Sequence, residues 1–246
     1  MPSRHPLYLH IGTPKTGTSS FQRSLSENRD AIPYYIYGAP DKASEITDWQ
    51  QTHASVLAHS FIRPDLETGA RFRGGPRKNK PISAFDRLRE DGPRDKMFAN
   101  ATQAIRQQHD RIALISAEEF TLMRTPEERE RMGRFLKGLK RDVIIVVAKR
   151  NTDDLRRSWT RQLERSLKNA FEAFQACPDA LRSTGEWFYD FDAVCDFWSD
   201  FGDLRVVDYD AAIQSEGNVL PSLYRAIDLS PEGLDLSARE KVVQSA

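Results

Sequence analysis

At 246 residues with 39% hydrophobic content, the chain can bury one substantial core, and a single domain is the economical expectation. Its 36 lysines and arginines balance 36 acids, which excludes a global field recruiting nucleic acid or an anionic membrane; any anion site must be local. Two cysteines, Cys177 and Cys195, are too few for a disulfide framework, and no apolar run approaches the length of a membrane span.

Taken from the N-terminus, Leu7 to Ile11 (LYLHI) has the bulk and length of a strand covered on both faces. It begins within seven residues of Met1, which leaves no room for a signal peptide, and a cytoplasmic protein is expected. Gly12 and Gly17 bracket a loop of small hydroxyl residues with Pro14 inside it. Phe21 and Leu25 then recur at helical spacing, which predicts a helix from about Thr18 to Arg29. Ile32 to Tyr37 reads as a short extended segment, closed by Gly38 and Pro40. Ser44 to Phe61 is expected to be a helix with Ile46, Trp49, His53, Val56, Leu57 and Phe61 near one stripe.

From Arg63 to Lys96, glycines and prolines break any long element, and Arg71, Arg73, Arg77, Lys78 and Lys80 form a basic run. This stretch is expected to be a flexible excursion of the same domain, either a solvated loop or a lid over an acceptor. A helix over about Asp95 to His109 leads into the buried strand RIALIS, Arg111 to Ser116. Thr125-Pro126-Glu127-Glu128 has the hydroxyl, proline and acids of a helix start, with the end near Gly138 or Lys140. Val143 to Ala148 (VIIVVA) is the most β-branched stretch and should be a central strand. A long helix follows from about Thr152 into the Phe171 to Phe174 region, with Leu155, Trp159, Leu163 and Leu167 as its buried stripe. Phe188 to Phe201 reads as a helix, Leu204 to Tyr209 as a strand, and Val219 to Ile227 as the last helix. This alternation predicts an α/β fold over 1–246, three layers with a mainly parallel sheet flanked by helices.

Ligands of such sheets sit beyond the carboxyl ends of the strands, so the chemistry is expected after LYLHI, after RIALIS and after VIIVVA. The first of these places combines a helix N-terminus, a full positive charge at Lys15 and hydroxyls at Thr16, Thr18, Ser19 and Ser20, which together suit a phosphate. It is not the usual triphosphate loop, because the residue after the second glycine is Thr18 and the lysine lies two positions before that glycine. After VIIVVA, Arg150 stands at the strand end and Ser158 about two turns along the next helix. A planar guanidinium and a hydroxyl converging on one point suit a phosphate monoester.

The order PKTGTSS, Pro14 to Ser20, resembles the 5′-phosphosulfate loop of sulfotransferases that use 3′-phosphoadenosine 5′-phosphosulfate (PAPS). Arg150 and Ser158 resemble the 3′-phosphate site of the same family, an arginine after a strand paired with a serine eight residues later. The opening HIGTPKTGT is similar to bacterial members reading H-I-G-x-x-K-T-G-T, and the resemblance reaches the strand ending near Tyr209. It implies a P-loop-like sulfotransferase architecture and in-line transfer of a sulfuryl group from PAPS to a hydroxyl, less readily an amine, releasing 3′-phosphoadenosine 5′-phosphate.

On that resemblance Thr13, Pro14, Lys15, Thr16, Gly17, Thr18, Ser19, Ser20, Arg150 and Ser158 would hold the nucleotide, and Lys15 would stabilise the leaving oxygen. A base must sit at the same sheet edge. Glu118 is the first choice, its neighbour Glu119 would point differently, and His53 is second. No metal is expected: His53 and His59 are six apart on different helix faces, and VIIVVA runs into Lys149 and Arg150 rather than an aspartate. Ser20 stands where cytosolic animal members carry an adenine-stacking tryptophan, so the base must be held otherwise. The expected partner is a small-molecule, glycan or lipid acceptor, with no nucleic acid and no stable membrane insertion. Two other functions fit the same loop: a small-molecule kinase, and a non-catalytic nucleotide-binding protein.

Overall fold

The computed structural model describes residues 5–37, 53–74, 84–177 and 186–237. Five strands, β1 (Leu7–Gly12), β2 (Tyr35–Ile36), β3 (Ala113–Ser116), β4 (Val143–Lys149) and β5 (Asp203–Asp208), form one sheet in the order β2-β3-β1-β4-β5. Every neighbouring pair is parallel, and β1 lies at the centre, Leu7 opposite both Ala113 and Val143. Parallel neighbours require crossovers, and helices supply them on both faces.

Side chains that alternate along a strand reach opposite layers. Leu7, Leu9 and Ile11 of β1, with Ile145 and Val147 of β4, enter one core. There they meet α2 (His53–Phe61), α5 (Asp91–Gln107), α6 (Pro126–Leu139) and α10 (Phe191–Ser199) through Phe61, Ile105, Phe135 and Trp198. Tyr8, Val146 and Ala148 enter the other core. Their partners are α1 (Thr18–Glu27), α11 (Tyr209–Glu216) and α12 (Leu220–Ala226), through Phe21, Ala212 and Leu223. Each large apolar side chain moved from water into these layers is worth roughly 1.5–3 kcal/mol. No helix among the described residues is long and apolar enough to cross a membrane.

Local signals fix several boundaries. Thr125 and Glu128 form a reciprocal capping box at the start of α6 with proline in its first turn. The buried Glu128 carboxylate also accepts from Arg63 N at 2.8 Å and Arg124 N at 2.7 Å. The segment expected as one helix over Phe188 to Phe201 is two, α9 (Glu186–Tyr189) and α10, because Asp190 between them caps the second by accepting from Ala193 N at 3.0 Å. The strand expected to reach Tyr209 stops at Asp208, whose side chain accepts from Ala211 N and starts α11. Of the helix expected over Ser44 to Phe61, the part before His53 lies outside the described residues.

The reading of Arg71 as one member of a basic run in a solvated or lid-like excursion is corrected. Within 63–96 the described residues carry α3 (Gly69–Gly74), α4 (Ala84–Arg87) and the first turn of α5, and Arg71 is fully buried. Its guanidinium donates to the carbonyls of Arg63 and Leu66, both at 2.7 Å, of His59 at 3.2 Å and of Ile62 at 3.4 Å. One fork therefore satisfies the orphan carbonyls at the end of α2 and in the turn beyond it. Arg77, Lys78 and Lys80 lie outside the described residues, as does the Arg73 side chain. Arg71→Leu should cost about 3 kcal/mol or more by stranding several buried carbonyls, roughly 6 °C or more in Tm for a chain of this size. A thermal melt within 1 °C of wild type, the value for a solvated loop arginine, would contradict this placement.

Candidate functional site

The loop after β1 is shaped by backbone geometry that its residues dictate. Gly12 has φ 75°, and a Cβ there would stand 3.0 Å from the Cβ of Glu118 and 3.1 Å from Thr18 Oγ1. Gly17 has φ 81°, and its Cβ would meet Val219 Cγ1 at 2.5 Å. Both positions thus need glycine for the left-handed backbone and for the close approach. Lys15, between them, also takes a positive φ, 64°, an unusual conformation for a residue with a side chain.

Hydroxyls keep the loop in this form. Thr13 donates to Ala148 O at 2.9 Å, while Thr16 and Thr18 both donate to Thr13 O. All three side chains are buried, so their hydroxyl protons are spent on the protein's own carbonyls. Lys15, Ser19 and Ser20 are half-buried, the two serines in the first turn of α1. Pro14 is buried. Gly17 is the N-cap of α1, and among the described residues no side chain caps this end and no acid stands in its first turn. The partial positive charge of the helix end is left to whatever binds there.

The β4–α7 turn meets this loop directly, where α7 is Thr152–Leu167, followed in the chain by the short α8 (Phe171–Gln175). Arg150 Nη1 donates to the carbonyl of Lys15 at 2.7 Å, and the guanidinium carbon lies 4.8 Å over the ring of Tyr209. Its Nε is buried without a hydrogen-bond partner. A buried charged donor left unpaired costs about 1–3 kcal/mol, so this N–H is suited to an anion the protein does not itself supply. Ser158 is half-buried on α7, without a hydrogen bond to Arg150. The loop and Arg150 are thus in contact, whereas Ser158 lies further along α7.

Glu118 opens a 3-10 turn, Glu118–Leu122, straight after β3, and its Cβ is packed against Gly12 at the root of the loop. Glu119 turns away to α2, where its carboxylate accepts from the hydroxyl of Ser55. His53 opens α2 two residues before Ser55; its side chain lies outside the described residues.

One group at this rim was not singled out from sequence. His10 on β1 is fully buried, its Nδ1 2.8 Å from Ser116 Oγ on the neighbouring strand. Gln22 of α1 donates to Ser116 O at 3.0 Å and Oγ at 3.2 Å, so the Ser116 hydroxyl is left to donate to His10 Nδ1. The ring proton then sits on Nε2, which has no hydrogen-bond partner and lies in a ring set edge-on to Phe21. The strand's alternation, which sends Tyr8 and His10 toward α1, was the available signal.

A groove of about 810 Å³ between α5 and α6 lies elsewhere, with Arg94, Arg106 and Arg131 in its walls. These arginines donate to the carbonyls of Leu88, Gly138 and Phe61 and serve the fold as caps.

No family model matches the chain, and no curated protein matches it. Among solved structures it is similar to a sulfotransferase from Alicyclobacillus acidocaldarius, with 20% identity over 97% of this chain and 87% of that one and a TM-score of 0.49. At that level the likeness carries no argument about chemistry, which rests on the residues above.

Burial lowers the pKa of His10 from 6.5 to about 3. The unfolded chain takes this proton near pH 6.5 and the folded one only near 3, so stability should fall as pH drops below 6.5. Above that pH His10 is neutral in both states and adds no slope. The His10 ring resonances should stay constant from pH 8 to pH 4.5 in NMR spectra, whereas a midpoint near 6.5 would contradict its burial.

Proposed function

We propose that this protein transfers a sulfuryl group from PAPS to a hydroxyl, less readily an amine, of a small-molecule, glycan or lipid acceptor in the cytoplasm. The observation that carries this reading is the bond from Arg150 to the Lys15 carbonyl, which sets two cationic anchors on one rim. The sequence resemblance assigns those two anchors to the two phosphorylated ends of a single adenosine nucleotide. The likeness to a sulfotransferase structure is in keeping with this reading but does not support it on its own.

PAPS supplies the activated sulfuryl group and a leaving phosphate. In the reaction the bond from sulfur to that phosphate oxygen breaks, and a bond from sulfur to the acceptor oxygen forms. The Lys15 ammonium and the uncapped N-terminus of α1 stabilise the negative charge that grows on the leaving oxygen. Arg150, with Ser158, holds the 3′-phosphate and so orients the nucleotide. Glu118 takes the acceptor's proton. It is preferred over Glu119 and His53 because it stands directly after β3, its Cβ against Gly12 at the root of the loop. A kinase would want a carboxylate for magnesium at the end of β4, where this chain carries Lys149 and Arg150.

With radiolabelled PAPS and a panel of hydroxylated acceptors, Lys15→Ala should lower turnover by about 10²-fold or more while changing nucleotide affinity much less. Arg150→Ala should chiefly weaken nucleotide binding, by roughly tenfold or more. Glu118→Gln should lower turnover by about 10²–10⁴-fold with binding intact. Small, equal effects from the lysine and arginine variants would contradict the assignment.

A further inference from the structure

The exit of β5 makes three contacts in three consecutive residues. Asp208 caps α11 by accepting from Ala211 N at 2.9 Å. Tyr209 lays its ring 4.8 Å from the Arg150 guanidinium carbon. Asp210 accepts from the backbone N–H of Asn151 at 2.6 Å. Asn151 in turn caps α7, its side chain accepting from Asp153 N at 3.0 Å and Asp154 N at 3.2 Å. The parallel register that sets Lys149 opposite Asp208 brings the pair 150–151 beside the pair 209–210.

An arginine side chain is long and flexible, and it binds an oxyanion well only when its fork is already held in place. Here the guanidinium is fixed by its stack on Tyr209 and by the Lys15 carbonyl, while Asp210 pins the backbone from which it projects. A cation over an aromatic face keeps its N–H edges available for hydrogen bonds in its own plane, and the buried Nε of Arg150 has no such bond within the protein.

We propose that Tyr209 and Asp210 are positioning residues that hold Arg150 ready for the 3′-phosphate, so that preference for nucleotides bearing that phosphate is set at the exit of β5 as well as by Arg150 itself. The inference rests on the reading of Arg150 as a phosphate clamp given above.

Two measurements test it. In calorimetric titrations with 3′-phosphoadenosine 5′-phosphate and with adenosine 5′-monophosphate, Tyr209→Leu and Asp210→Ala should each shrink the affinity ratio by about tenfold. Tyr209→Phe keeps the aromatic face and Asp210→Asn keeps an acceptor oxygen, so both should hold the ratio within about threefold of wild type. A merely structural role would weaken both ligands alike and leave the ratio unchanged, which overturns the proposal.

The second measurement uses no nucleotide. The Arg150 Nε–H resonance in ¹⁵N NMR, assigned by its loss in Arg150→Lys, should be resolved in wild type and Tyr209→Phe. It should collapse into the averaged arginine signals in Tyr209→Leu. An unchanged signal in folded Tyr209→Leu overturns the positioning role even where the wild type prefers the 3′-phosphorylated ligand. Equal binding of the two nucleotides by the wild type overturns the clamp reading, and with it the proposed purpose of the Tyr209 contact, whatever the resonance shows.

Discussion

Two segments 135 residues apart in sequence are joined by the hydrogen bond from Arg150 to the carbonyl of Lys15, beside that from Thr13 to the carbonyl of Ala148. Lys15 holds a left-handed backbone that a lysine adopts at a cost of roughly 1–2 kcal/mol, so something must favour it. The guanidinium bond, the threonine hydroxyls folded onto Thr13 O, and glycines fitted against Glu118 and Val219 together do so. Because the bond comes from the end of β4, the loop's shape depends on the register between β1 and β4, which itself shifts between His10 and Gly12 as the strand enters the turn. Sheet, loop and anion site are in this sense one construction.

Arginine recurs as the device that finishes backbone ends. Arg71 and Arg131 serve carbonyls at the end of α2, and Arg141 donates to the carbonyls of His5, Arg111 and Ile105 at the opposite edge of the sheet. These cations serve the protein's own carbonyls, in a chain whose positive and negative charges balance. Arg150, like Arg71, keeps a buried Nε without a hydrogen-bond partner, but it stands where β4 runs into the turn beside the Lys15 loop rather than at a helix end.

Much of this architecture was legible in the sequence where local chemistry dominates. The short apolar runs LYLHI, RIALIS and the β-branched VIIVVA supplied β1, β3 (from Ala113) and β4, being too short for buried helices, and the capping pattern at Thr125 set the start of α6. The contact between the Lys15 loop and Arg150 followed from the parallel topology, which sends both strand ends to the same edge. What stayed hidden depends on long-range partners. A buried Arg71 looks like any surface arginine until the carbonyls it serves are known. The break at Asp190 and the end of β5 at Asp208 were missed because an aspartate reads equally well as a surface residue and as a cap. His10 was passed over because its role depends on Ser116 and Gln22, which only strand pairing and helix packing bring to it.

The proposed function requires one bisphosphorylated nucleotide to span the Lys15 loop and the Arg150 turn. A calorimetric titration of the whole chain with 3′-phosphoadenosine 5′-phosphate, set beside ATP with magnesium, tests it most directly. The expected result is saturable binding of the former at a single site, with the triphosphate weaker by about tenfold or more, the difference one well-held phosphate contact makes. Magnesium-dependent binding of ATP with no measurable affinity for the 3′-phosphorylated nucleotide would contradict it.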